Sequence, residues 1–269
     1  MSQSHALHAG AKLISLVDTV PRIQSSILEK GSSVLSQLMF KPPVKKVAKN
    51  TVQHQHSVVC RPCTADDRNA MVDFMTRQFV TREPLMQSVH ATTSNSRMFV
   101  EHCIDEALIQ EASFIARNED TGKVFGVRLN AIGPSSGIEM ENDFGFYINL
   151  IPRFLHHMEK DVPKLLGTDS FMRHVAICVE PGAIQCGVAT DLMKASAKHA
   201  KVNGLKNMVA MCSWKLPYKL AQKVGFRSVL RVPYAEYAES LRCEGEKAME
   251  PFLSLAKSEG VAHTMVRDV

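Results

Sequence analysis

Residues 175–189 read Val-Ala-Ile-Cys-Val-Glu-Pro-Gly-Ala-Ile-Gln-Cys-Gly-Val-Ala, and an amphipathic segment continues from there to about Lys201. The apolar run Val175 to Val179 has the character of a buried strand, and Glu180-Pro181 ends it. Gln185-Cys186-Gly187-Val188-Ala189 then opens a helix that Asn203-Gly204 closes. A strand that turns into a helix in this way aims the first-turn N–H groups, and the positive end of the helix dipole, at one point just beyond the strand. Such a point holds a phosphate or pyrophosphate. Gly187 and Ala189 suit it, because larger side chains would keep an anion away from the backbone. The spacing is neither GxGxxG nor GxxxxGK followed by Ser or Thr, which disfavours a dinucleotide fold and a P-loop.

Downstream, the spacing predicts a strand over Asn207 to Met211, a helix over Leu216 to Val224, a strand over Phe226 to Val232 and a last strand over Ala262 to Val266. Upstream, Val58-Val59-Cys60-Arg61-Pro62 reads as a first strand. Thr64-Ala65-Asp66-Asp67 caps a helix with the apolar face Met71, Phe74, Met75 and Phe79. A loop through Arg82-Glu83-Pro84-Leu85 follows, and Ser94 or Asn95 is the expected cap of a helix reaching about Gln110. Ala112 to Arg117 and Lys123 to Ala131 form a hairpin around Asn118-Glu119-Asp120-Thr121-Gly122. Phe146 to Leu166 reads as helical, with Pro152 and Pro163 interrupting it or beginning a segment. The sum is an α/β fold, a mixed sheet flanked by helices without an internal repeat.

The chain of 269 residues, 45% apolar and 22% charged, has the composition of an ordinary globular protein. A net charge of +5 is concentrated in Lys41, Lys45, Lys46 and Lys49. With four Tyr and one Trp there is no basic-aromatic surface pattern for nucleic acid. No apolar run reaches the ~18 residues of a membrane-spanning helix, so a membrane partner is not expected. Seven scattered cysteines suit reduced thiols. Cys60 and Cys63 form a lone CxxC without a second pair, and His54, His56, His156 and His157 lie on polar segments, so no metal is expected.

Residues 1–56 read as a separate, poorly ordered or partly helical N-terminal extension, and 57–269 as the folded domain. Leu13, Leu16, Val17, Val20, Ile23, Ile27 and Leu28 have helical spacing broken at Pro21. A mitochondrial presequence would be amphipathic, Ser-rich and basic. Arg22 is the only arginine before Arg61, however, and Asp18 and Glu29 oppose it, so a cytoplasmic monomer is the expectation.

Four pieces, in order, resemble the GCN5-related N-acetyltransferases, and within them the invertebrate arylalkylamine (dopamine-type) branch. They are Arg61-Pro62-Cys63-Thr64-Ala65-Asp66-Asp67, Arg82-Glu83-Pro84-Leu85, Val179-Glu180-Pro181 through Gly187-Val188-Ala189, and Met211-Cys212-Ser213 with Lys223-Val224-Gly225-Phe226 and Arg231 to Tyr237. The resemblance spans residues 57 to 266. It implies a mostly antiparallel central sheet splayed between the fourth and fifth strands, with acetyl-CoA held there by Ile177, Cys178, Val179, Gln185, Cys186, Gly187, Val188 and Ala189. It also implies transfer of the acetyl group to a primary amine, an arylalkylamine such as dopamine or serotonin. Polyamines and amino acids are compatible as well.

The chain departs from that pattern at three points. Ile184 stands where the loop carries Arg or Gln. Ala221 stands where many relatives place a tyrosine acid for the departing thiolate. Of the two serines proposed to serve instead in the arylalkylamine branch, Ser213 is present and the second falls on Pro217. An amine whose pKa is about 10 must lose a proton before it attacks, and the resemblance assigns that base to Glu83, directly or through water. A backbone N–H near Val179 would polarise the thioester carbonyl, and Ser213 is the candidate donor to the sulfur or, more plainly, the cap of the helix from Trp214. His90 is a candidate for a proton path, with a surface position the simpler reading. The alternative from another class is a non-catalytic acyl-CoA-binding protein that keeps the fold. A peptide acetyltransferase would need an open groove, which the 146–166 segment is expected to narrow.

Overall fold

The computed structural model describes residues 58–134 and 143–269. The N-terminal extension expected over 1–56, its presequence-like helix, its basic hinge and His54 and His56 all lie outside the described residues.

Strand β1 (Val58–Pro62) leads through a short 3-10 turn to α1 (Arg68–Gln78), α2 (Pro84–Ser88) and α3 (Arg97–Ile109). The hairpin β2 (Phe114–Asn118) and β3 (Val124–Ile132) follows, then α4 (Phe146–Glu159), α5 (Val162–Leu166) and β4 (Met172–Val179). After it come α6 (Val188–Val202), β5 (Asn207–Cys212), α7 (Lys215–Lys223), β6 (Arg227–Pro233), α8 (Tyr234–Ser240), α9 (Glu246–Ser258) and β7 (Val261–Asp268). The strands make one seven-stranded sheet in the order β1-β2-β3-β4-β5-β7-β6. Every pair is antiparallel except β4–β5. The mixed, mostly antiparallel sheet flanked by helices is as the sequence implied.

Several local features explain why the elements form where they do. In the hairpin, Asn118 Oδ1 accepts from Thr121 N (2.8 Å) and Oγ1 (3.0 Å), and Gly122 takes φ +68°, so the side chain of one Asn builds the turn. Helix α3 begins one residue later than the expected cap. Ser96 is its N-cap, while Asn95 and Thr92 exchange hydrogen bonds of 2.7 and 3.2 Å in the preceding turn. Thus Asn95 shapes the approach to the helix without capping it. Beside β1, Asp67 is buried and receives both Arg61 (2.7 and 2.9 Å) and Arg117 (2.9 Å), tying the first strand to the hairpin. Burial alone would push its carboxyl up, but the Arg61 hydrogen bonds prevail and hold it near 2.

One face of the sheet carries α1–α4, α8 and α9 over a large apolar core that includes Met71, Phe74, Leu129, Phe154, Tyr234 and Phe252. The other face carries α6 and α7. Gly126 of β3 allows α6 to lie close, since a Cβ there would meet Val188 Cγ1 and Leu192 Cδ1 at 3.0 Å. Pro152 sits inside α4 without ending it, and Pro163 lies in the first turn of α5, the position where a missing N–H costs nothing. Among the described residues, no helix is long and apolar enough to cross a membrane.

Candidate active site

The parallel pairing of β4 and β5 lasts only three residues, Met172↔Met208, Arg173↔Val209 and His174↔Ala210. Immediately beyond, the β3 partners pass from Asn130↔His174 to Leu129↔Ala176, which leaves Val175 as the extra residue of a β-bulge. The bulge bends β4 away from β5, and Ala176 to Val179 run on paired only to β3. Because Glu180 N–H donates to Phe125 O of β3 (2.9 Å), alternation turns the peptide groups of Ile177 and Val179 the other way, into the opening. Val179 O is taken there by Arg82 Nη2 (2.8 Å). The remaining N–H and C=O groups line a cleft where an extended, amide-bearing ligand arm can pair as an added strand. Cys178 is the exception among the three expected contacts. Its peptide groups face β3, and its thiol lies buried 3.2 Å from Arg82 Nη2.

At the outer end of β4, a 3-10 turn over Pro181–Ala183 and an extended Ile184 lead to Gln185 at φ +72° and Gly187 at φ +89°. Gly187 is the N-cap of α6, and the first intrahelical bond runs from Asp191 N–H to Gly187 O (3.0 Å). The N–H groups of Val188, Ala189 and Thr190 therefore precede the helical ladder and point outward beside exposed Gln185, Cys186 and Gly187. Outward N–H groups at a helix start are of a kind that a pyrophosphate fits through the backbone alone. Val188 contributes its N–H alone, since its side chain is buried against Gly126. Ile184 is exposed and offers an anion no polar group.

On the opposite face, Glu83 is buried at the N-cap of α2. Its Oε2 accepts from Met86 N–H (2.6 Å), and its Oε1 accepts from the Ser213 hydroxyl (2.6 Å) at the end of β5. Tyr234 Oη in turn donates to Ser213 O (2.6 Å). Burial pushes the Glu83 carboxyl up, and the Ser213 and backbone hydrogen bonds only partly oppose it. The pair opens on a cavity of about 90 Å³ walled by Phe79, Met86, Phe99, Leu155 and Met211, with Val175 and Ala176 of the bulge at its junction with the cleft. Arg173 lies at its edge, 3.5 Å from Glu159. Trp214 is the N-cap of α7, and no side-chain cap bond is made, so the hydroxyl of Ser213 serves Glu83 and not the helix.

No family model matches the chain, and no curated protein matches it in sequence. Solved structures do match. The mosquito arylalkylamine N-acetyltransferase like 5b superposes with a TM-score of 0.67 at 19% identity over 79% of this chain and 100% of that one. The Drosophila melanogaster polyamine N-acetyltransferase, an enzyme that catalyses formation of N-acetylagmatine, gives 0.67 at 17% identity over 79% and 100%. Arylalkylamine N-acetyltransferase 2 from Aedes aegypti gives 0.66 at 16% over 78% and 98%.

The fold is that of the GCN5-related N-acetyltransferases.

Within that acetyltransferase fold, the three departures take physical form. Ala221 is buried under α7 among Met208, Phe226 and Met265, so no larger side chain reaches the cleft from there. Pro217 lies in the first turn of α7. Ser213 remains and is committed to Glu83. His90 is exposed at φ +55°, edge-on to Tyr147 (5.5 Å), and makes no contact with Glu83. Among the described residues, no group of His, Cys, Asp and Glu is arranged to hold a metal, and Cys60 and Cys63 are free thiols. The sequence reading gave no role to Arg82, Tyr234 or the Arg173–Glu159 pair. Arg82 and Tyr234 carried a signal, as members of the motifs around Glu83 and after β6.

Proposed function

We propose that the chain is an acetyl-CoA-dependent N-acetyltransferase acting on a small primary amine, of which an arylalkylamine is the substrate class that best suits the cavity. The observation that carries this reading is the buried Glu83–Ser213 pair at the junction of an apolar cavity and a splayed cleft.

The residues have separable tasks. The first-turn N–H groups of α6 would hold the pyrophosphate, and the Ile177 and Val179 peptides the pantetheine arm. Acetyl-CoA, when bound, supplies an activated acyl carbon. An N–H of Ile177 or Val179 offers a donor to the carbonyl oxygen as charge gathers there. Glu83 takes the proton from the ammonium, and its raised affinity for protons brings it closer to the task than a solvated carboxylate. Ser213 fixes which oxygen faces the cavity. Burial pushes the Cys178 thiol up to about 11 and the Cys212 thiol up to about 12, which suits direct attack by the amine and disfavours an acyl-cysteine. The aromatic and aliphatic walls favour an apolar body behind the amine.

The test is a thiol-release assay with acetyl-CoA across a panel of amines, run beside Glu83→Gln. Turnover that collapses in the variant supports the reading. The exposed Ile184 favours a second one, a coenzyme A-binding protein without turnover. Calorimetric binding with no amine acetylated would replace the first reading by the second.

A further inference from the structure

Arg128 of β3 is among the largest wholly buried side chains, 2% exposed, yet its Nε and Nη2 have no hydrogen-bond partner. No acid pairs with it among the described residues. Burial draws its proton affinity down to about 9, which still leaves it cationic at neutral pH. A buried cation without a counter-ion is an arrangement that interiors avoid unless something else completes it.

Its place is informative. Gly126 and Asn130, two residues to either side, both face α6, the latter donating to Ser196 Oγ (3.0 Å), so Arg128 projects on that face too. It lies opposite Ile177, the residue whose peptide opens into the cleft. A side chain of this length is able to clear one strand spacing, about 4.8 Å, which puts the gap between β4 and β5 within its reach. Its charge acts on Cys212 at the end of β5 and on His174 beside the bulge. His174 is buried with both ring nitrogens unpartnered, its ring tilted against Phe226 at 5.1 Å. Burial, then Arg128 and Arg267, keep it neutral, so it is no counter-ion. For the Cys212 thiol, burial works upward and Arg128 works downward, as a cation near a sulfur must.

A departing thiolate has no other evident helper. Ala221 and Pro217 cannot supply a proton, and the Ser213 hydroxyl is spent on Glu83. Building on the function proposed above, we propose that Arg128 is the counter-ion for the coenzyme A sulfur at the base of the β4–β5 splay. Once Glu83 has passed the ammonium proton on to water, the neutral amine nitrogen forms the C–N bond and gives its second proton to Glu83. The C–S bond breaks with its electron pair on sulfur, and the thiolate rests against Arg128 until coenzyme A dissociates and takes a proton from water. A fixed cation thus stands in for the missing acid.

The experiment is calorimetry with free coenzyme A in buffers of different ionisation enthalpy, on the wild-type chain, Arg128→Met and Arg128→Lys. The titratable groups that interact with the guanidinium are His174 and Cys212, and Arg267 acts on His174. Binding to the wild type at neutral pH should release about one proton per coenzyme A, with thiolate absorbance appearing in the ultraviolet. Arg128→Met should lose the proton release and weaken coenzyme A binding about tenfold, while acetyl-CoA, which has no ionisable sulfur, is less affected. Arg128→Lys should restore part of the release. Without ligand, Arg128→Met should melt at or above the wild-type temperature, because it removes an unpaired buried charge. Unchanged proton release in Arg128→Met, or release absent from a wild type that binds coenzyme A, overturns this proposal and leaves the acetyltransferase reading standing. A wild type that binds no coenzyme A overturns both.

Discussion

The Ser213 hydroxyl meets Glu83 Oε1 at 2.6 Å although 130 positions of sequence separate them. One partner caps a five-residue helix on one face of the sheet, and the other ends a strand in the middle of it. The contact joins the apolar cavity to the cleft, and Tyr234 secures it from behind through Ser213 O. Its consequences for rate, pH and stability are separable.

Glu83→Gln should reduce kcat/KM about 10²- to 10⁴-fold while leaving acetyl-CoA affinity intact. Its effect on stability should run the other way. The folded carboxyl binds protons more tightly than the unfolded one, so its contribution to stability is full below the ordinary carboxylate range and is lost as pH rises through the folded value. At neutral pH the variant should therefore melt at or above the wild-type temperature. Thermal melts in acid should show that gain disappear.

Ser213→Ala removes the hydrogen bond that lowers the Glu83 carboxyl. The acid limb of the kcat/KM profile should move to higher pH, while the plateau falls by no more than about tenfold. An unmoved limb would mean that Ser213 acts elsewhere.

Gly187→Val should weaken coenzyme A binding measured by calorimetry, with 3′-dephospho-coenzyme A affected alike. The φ of +89° makes any β-branched residue costly there, by about 1–2 kcal/mol, although a Cβ would meet nothing closer than Asp191 Oδ2 at 3.8 Å. Ile184→Arg, at the exposed position before Gln185, should tighten binding about fivefold at low salt and lose that gain as salt rises.

Asp67→Asn should cost about 2–3 kcal/mol in a denaturant melt at neutral pH, because Arg61 and Arg117 both lose their anion. Since the Arg61 hydrogen bonds hold this carboxyl down near 2 against burial, its contribution is present above the ordinary value of 3.8 and fades as pH falls from there to about 2. The wild type and variant should converge over that window.

The elements that sequence reading recovers are those with local causes. The run before Glu180-Pro181, the Gly187 turn, the Asn118–Gly122 turn and the Met71–Phe79 face each carry their own pattern, and the structure has a strand, a loop, a hairpin and a helix there. What stayed hidden depends on distant partners. Helices α8 and α9 escaped notice because Gly245 and Pro251 break their spacing, and packing of Tyr237 and Phe252 around Phe154 supplies the stability that spacing does not advertise. The splay was implied by resemblance, but its physical cause, the Val175 bulge, has no sequence signature. The resemblance pointed to Glu83, but nothing local in a Glu-Pro loop announces that it is buried. Only the fold brings Ser213 over it, and only the fold strands Arg128 without an anion.

Strand β6 reaches the sheet solely through β7, which lies between it and β5. On the ribosome, β6 therefore waits unpaired while α8 and α9 are made, and the sheet cannot close until residues 261–268 have cleared the exit tunnel. A nascent chain stalled before Val261 would present the open edges of β5 and β6 together, with Tyr234 not yet anchored through its N–H to Gly260 O. Strand β7 is thus the one on which both the sheet and the clamp behind Ser213 depend, and chaperone capture should be greatest in the moments before it emerges.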